Sequence, residues 1–312
     1  MRRNMLLAVA LAALMGGTAA AAEPESCRTV RFSDVGWTDI TATTGLASVV
    51  LQGLGYQTRA DILSVPVTYQ SLANGDIDVF LGNWMPTMEA DVAPFREAGT
   101  VEVVRANLEG AKYTLAVPTY VADQGLKDFA DIAQFKDPLG ARIYGIEPGN
   151  DGNRLIQDMI DQDQFGLGGF QLVESSEQGM LGEGGRAGRR GKPIVFPGWE
   201  PHPMNTNFEL TYLTGGDEVF GPDFGGATVY TNVRKGYVEE CANVGQLLAN
   251  LVFTLDMESA VMGGILDEGK EAEEAAREWL AAHPEVLDGW LAGVTTVDGA
   301  DGLAAVKASL GS

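Results

Sequence analysis

Trp37, Trp84 and Trp199 each follow a short apolar or β-branched run and sit against turn-forming residues. The segments are Gly36-Trp37-Thr38-Asp39, Gly82-Asn83-Trp84-Met85-Pro86 and Pro197-Gly198-Trp199-Glu200-Pro201. A large ring at the carboxyl end of a strand in an open α/β sheet points toward the crevice where such sheets bind ligands. Indole faces attract positive charge, so three of them, with no metal or nucleophile motif among them, describe a cage for a soft cation. The plainer alternative is three half-buried loop tryptophans. A quaternary ammonium donates no hydrogen bond, so carboxylates around it would be desolvated without directed contacts; aromatic faces avoid that problem. Each ring contributes about 0.5–2 kcal/mol once water is excluded, and burying three methyl groups adds more. A micromolar complex needs about 8 kcal/mol, which that total reaches.

With Gly198-Trp199-Glu200-Pro201-His202 added, these segments resemble the quaternary-amine branch of ABC-transporter substrate-binding proteins, above all its periplasmic choline-binding members. The resemblance covers nearly the whole mature chain. It implies a trimethylammonium head held by three tryptophans and one tyrosine, with an aspartate at the choline hydroxyl. Matched position by position, the box is Trp37, Trp84, Tyr113 and Trp199, with Asp39 at the hydroxyl. Asn150, in Pro148-Gly149-Asn150-Asp151-Gly152, matches a further ligand-contacting position in the second lobe. The implied fold is α/β: a two-lobed periplasmic binding protein of type II, a Venus flytrap that closes on ligand held in the cleft between its lobes. One lobe would combine 23–114 with 224–312 and the other would hold 115–223, joined by short hinge strands. The implied function is to bind choline and deliver it to the permease of an ABC importer. Binding of glycine betaine, proline betaine or carnitine is the neighbouring alternative, and a periplasmic enzyme is a more distant one. No cofactor is expected, and the protein should act as a monomer.

Two of these residues keep a second reading. Asp39, two after Trp37 and just ahead of a helix, is equally placed to cap that helix. As a ligand group it would accept from the choline hydroxyl while repelling the carboxylate of glycine betaine, favouring choline. Tyr113, in Lys112-Tyr113-Thr114, also reads as a strand residue facing the core. The histidines, His202 and His283, are far apart and have no cysteine pair beside them, which argues against a transition-metal site. His202 reads as a support for the site, and His283 as a helix-end residue whose cation would suit the dipole. No Gly-x-Ser-x-Gly elbow is present, and no Ser-His-acid set fits strand ends with these histidines.

The first 22 residues read as a secretory signal, with Arg2 and Arg3, an apolar stretch from Leu6 to Met15, and small residues from Thr18 to Ala22. No later run approaches the ~20 apolar residues of a transmembrane helix. The remaining chain of roughly 290 residues exceeds one compact core and suits two lobes. A net charge of −22 makes nucleic acid an unsuitable partner. It would draw a cation at long range, but it equally serves solubility. Export and an even cysteine count favour a Cys27–Cys241 disulfide over unpaired thiols. Glu23-Pro24-Glu25-Ser26 is not the small apolar run that precedes a lipidated cysteine.

Apolar runs alternate with amphipathic stretches, as in repeated β-α units. Strands are expected at 30–32, 77–81, 113–117, 141–146, 170–173, 193–196 and 209–213. Helices are expected at 41–54, 153–162, 237–253 and 270–282, with Trp279 and Trp290 as packing residues. The segment 182–192 should be helical by resemblance, but its glycines each cost about 1 kcal/mol in a helix, which suggests a frayed or looped basic surface. It lacks the spacing of a phosphate-binding loop.

Overall fold

The computed structural model describes residues 23–311, so the secretory signal expected at 1–22 lies outside the described residues. Strand Thr29–Asp34 (β1) alternates half-exposed Thr29 and Arg31 with buried Val30 and Phe32 before turning wholly inward. It pairs in parallel with Gln57–Ile62 (β2) and Val79–Met85 (β3). The connections are helices, Thr38–Gly53 (α1) and Val65–Asn74 (α2). These are the β-α units that the alternation predicts. β2 was not expected, because it is an edge strand with Gln57, Arg59 and Ala60 exposed and carries no apolar run. After β3 comes Glu89–Glu97 (α3).

Strand Val101–Pro118 (β4) determines how the molecule is divided. Up to Lys112 it pairs antiparallel with the late strand Gly226–Arg234 (β9), which in turn pairs with β3. From Lys112 onward it pairs instead with Phe196–Glu200 (β7), and finally with Leu210–Tyr212 (β8). One continuous strand therefore serves both halves of the sheet β2-β1-β3-β9-β4-β7. A smaller parallel pair, Arg142–Tyr144 (β5) and Gln171–Val173 (β6), joins the β7 side, where Tyr144 N donates to Val195 O at 3.0 Å. The strand expected at 193–196 forms slightly later, at Phe196–Glu200. Trp84 and Trp199 consequently stand inside strands, next to their carboxyl ends, rather than in the loops beyond.

Helix Asp151–Asp161 (α4) follows β5, and Glu177–Arg190 (α5) follows β6. The latter contains most of the glycine-rich segment and is helical, not looped. Ser176 caps it by accepting from Gly179 N, and a Glu183–Arg186 ion pair lies along it. Gly184 packs on Phe196, and Gly191 closes it at φ 61°, a left-handed conformation suited to glycine. Packing and caps outweigh the propensity cost. The helix expected at 237–253 breaks at Cys241, whose backbone leaves helical geometry, into Tyr237–Glu240 and Ala242–Asn250 (α6).

Helices Leu255–Leu266 (α7), Ala272–Ala282 (α8) and Gly302–Leu310 (α9) pack on α1, which is buried along almost its whole length. Trp279 is half-buried with its ring stacked on His283, the residue that ends α8, and buried Trp290 donates to Val252 O. Both tryptophans are structural, as expected. Cys27 and Cys241 form a disulfide with a Cα–Cα distance of 5.5 Å, tying the start of the described chain to α6. Among the described residues, no single helix is long and apolar enough to cross a membrane.

Candidate functional site

The two halves of the sheet meet around a small cavity walled by buried side chains. It is lined by Trp37, Asp39, Trp84, Tyr113, Ile146, Asn150, Asp151 and Trp199, and the centre of a water-sized sphere can occupy about 20 Å³ of it. All six residues singled out in the sequence reach it. Trp37 precedes α1, and its Nε1 donates to Glu147 Oε1 at 2.7 Å. Tyr113 on β4 lies directly opposite Trp199 on β7, and cross-strand partners of this kind put their side chains on one face. The tyrosine ring takes Trp84 at 6.1 Å and Trp199 at 6.3 Å in edge-to-face geometry, leaving the rings as walls of a box rather than a stack.

The tyrosine hydroxyl fixes the box to the opposite half. It donates to Asn150 Oδ1 at 3.1 Å, and the same oxygen caps α4 by accepting from Asn153 N at 3.0 Å. Gly152 makes room for it: a Cβ there would lie 1.8 Å from the Tyr113 oxygen. Arg154, one turn into α4, reaches Asp91 Oδ2 at 2.6 Å and Thr87 O at 3.3 Å.

Asp39 does not cap α1. The helix begins at Thr38, Trp37 holds the cap position, and the Asp39 side chain turns into the cavity. Its Oδ2 accepts from Trp84 Nε1 at 3.0 Å, and its Oδ1 is buried with no partner. The sequence reading missed Ile146 and Asp151. Asp151 Oδ2 is likewise buried and unpartnered, while Asn150 Nδ2 donates to Oδ1 at 3.3 Å. Its position directly after Asn150 was the available signal, but an acidic residue in a first helical turn has a routine explanation in the helix dipole.

The lining contains no Lys, Arg or His, and burial is the largest influence on its carboxyls, although Arg154 nearby pulls Asp151 the other way. Burial, then repulsion from Glu177, pushes Asp39 up to about 8, against the pull of the Trp84 N–H. Burial pushes Asp151 up to about 6. Glu147 is raised to about 7 by burial, with the Trp37 N–H pulling the other way. Glu258, buried on α7, is raised well above the ordinary range by burial and by Asp39. Aromatic walls with unpaired carboxyl oxygens behind them suit a small monovalent cation that carries one hydrogen-bond donor.

Residues 28–282 match the family described as the substrate-binding domain of ABC-type glycine betaine transport systems. The chain belongs to that family. It is 65% identical to an ABC-transporter choline-binding protein solved in complex with choline, over 92% of this chain and 100% of that one, with a TM-score of 0.91. An ABC-transporter choline-binding protein in an unliganded semi-closed conformation matches with the same identity and coverage but a TM-score of 0.85. The backbone of this substrate-binding domain is thus nearer to the choline-complexed form. The glycine betaine/carnitine transport binding protein GbuC of Listeria monocytogenes is 34% identical over 163 residues, 52% of this chain and 53% of that protein. These relatives are transport binding proteins, and the fold is the mixed α/β, two-lobed periplasmic binding protein with its cleft between the lobes.

Proposed function

We propose that this substrate-binding domain takes choline from the periplasm and delivers it to the permease of an ABC importer, acting as an exported monomer without catalysis or cofactor. The observation that carries this reading is Asp39 Oδ1, a buried and unpartnered acceptor inside a cavity walled by Trp37, Trp84, Tyr113 and Trp199. The rings would hold the trimethylammonium head by cation–π attraction. Asp39 would accept from the hydroxyl, while Asn150 holds Tyr113 and Asp151 adds negative charge. Support also comes from the choline complex of the 65% identical protein. The lobes would divide as 23–114 with 224–312 against 115–223, with β4 crossing near Lys112 and the return crossing near Gly226, its partner in the sheet.

Glycine betaine or carnitine is the second reading, favoured by the likeness to GbuC. Both carry a carboxylate. A cavity lined by Asp39 and Asp151, with no basic side chain, would repel it. Titration calorimetry against choline, glycine betaine, carnitine and proline betaine tests the proposal. Choline should bind one to one and tightest, and be recovered unchanged. Tighter binding of glycine betaine would overturn the assignment.

A further inference from the structure

Glu177, the first residue of α5, is fully buried yet does not line the cavity. Its Oε2 accepts from Thr38 N at 2.8 Å, and its Oε1 accepts from Thr38 Oγ1 at 2.5 Å. Oε1 also meets His202 Nε2 at 3.1 Å. His202 Nδ1 accepts from Met204 N at 2.8 Å, so the ring proton sits on Nε2 and is donated to Glu177. Thr38 is the residue between Trp37 and Asp39, and the His202 ring packs edge-on against Trp199, with centroids 4.8 Å apart.

One carboxylate therefore holds the backbone of the segment that carries two cavity residues, and also the imidazole that backs a third. The segments lie 139 residues before it and 25 after it. Three donors satisfy it in this arrangement, so it stays buried at little cost. Moving Thr38 away would strip two of those bonds and admit water.

We propose that Glu177 is a positioning residue: it ties the Trp37–Asp39 wall to the Trp199 wall when the lobes close, and so sets how long the ligand stays. The inference rests on choline being the ligand and on Thr38 and Glu177 belonging to different lobes. With the lobes apart, Glu177 would be solvated and indifferent to the ligand. Its bonds to Thr38 thus favour the closed state, and closed-state contacts act on release rather than on encounter.

The test is stopped-flow tryptophan fluorescence with choline on the wild-type chain, Glu177→Gln and Thr38→Val. Gln keeps the shape but places an amide N–H2 against donors, and Val removes only the Thr38 hydroxyl. Both should speed choline release by about ten-fold or more with association changed less than about two-fold. The ligand-free melting temperature should barely move, and Thr38→Ser should restore slow release. Wild-type release rates in Thr38→Val, or equal damage to ligand-free stability and to release in both variants, would overturn the latch. Failure of the wild-type chain to bind choline would instead overturn the function proposed above.

Discussion

On the proposed reading, Asp39 would separate the competing ligands at the level of one oxygen. Asp39→Asn should weaken choline by about 1–3 kcal/mol and leave glycine betaine unchanged or improved, because it removes a charged acceptor that only choline uses. Calorimetry on both ligands checks this, and equal losses would reduce Asp39 to a support for Trp84. Trp199→Leu keeps apolar bulk and removes the ring quadrupole, so choline should lose about 1–2 kcal/mol. The uncharged isostere 3,3-dimethylbutanol should bind the unmutated protein far more weakly than choline; similar affinity would make the site a shape-selective apolar pocket. The raised carboxyls add a pH dependence. Asp39 has an ordinary value of 3.8 and is lifted to about 8. Between these values the ligand-free fold holds a proton that the unfolded chain has released, so its stability falls as pH rises through that window. A bound cation favours the ionised forms, so choline affinity should rise with pH, first through about 6 with Asp151 and then through about 8 with Asp39. The choline-induced rise in melting temperature should accordingly be larger at about pH 8 than at about pH 5, with protons released on binding. A flat profile would mean that both carboxylates are already ionised in the empty site.

At the scale of elements, legibility followed apolar content. β1 and α1 declare themselves through Val30, Phe32, Leu46, Val49 and Val50. β2 does not, because a polar edge strand is recognisable only from its neighbour, and the break at Cys241 leaves no mark in a segment of unbroken helical character. Of the six predicted residues that line the cavity, Trp37, Asp39, Trp84 and Trp199 were legible from short segments around three tryptophans, whereas Tyr113 and Asn150 came only through the family resemblance. Asp151 was missed because its unpartnered oxygen is a property of the folded pocket, not of the local sequence. The α5 helix tested propensity against packing, and packing prevailed. Gly188 in that helix faces open space and lies within helical geometry, so Gly188→Ala should raise stability by about 0.5–1 kcal/mol, read as a higher denaturant midpoint with choline affinity unchanged. Gly152→Ala should do the opposite: the added Cβ displaces the Tyr113 hydroxyl, and choline binding should fall sharply while the fold persists.

For the molecule as a whole, the Cys27–Cys241 bridge closes a separation of 214 residues at a site whose residues take no part in the ligand cavity. Replacing both cysteines with serine should cost about 2–5 kcal/mol of stability and leave choline affinity nearly unchanged, as denaturation and calorimetry would report. The cavity itself carries a different consequence. Its four rings are each at most 6% exposed, and Asp39 and Asn150 are sealed as deeply. A molecule inside would be largely screened from solvent by these side chains, so its departure would have to wait for the walls to part. Turnover is then governed by the container rather than by the cargo. Two cargoes that fit equally well would leave at the same pace, and emptying the vessel on demand requires something outside it to pry it open.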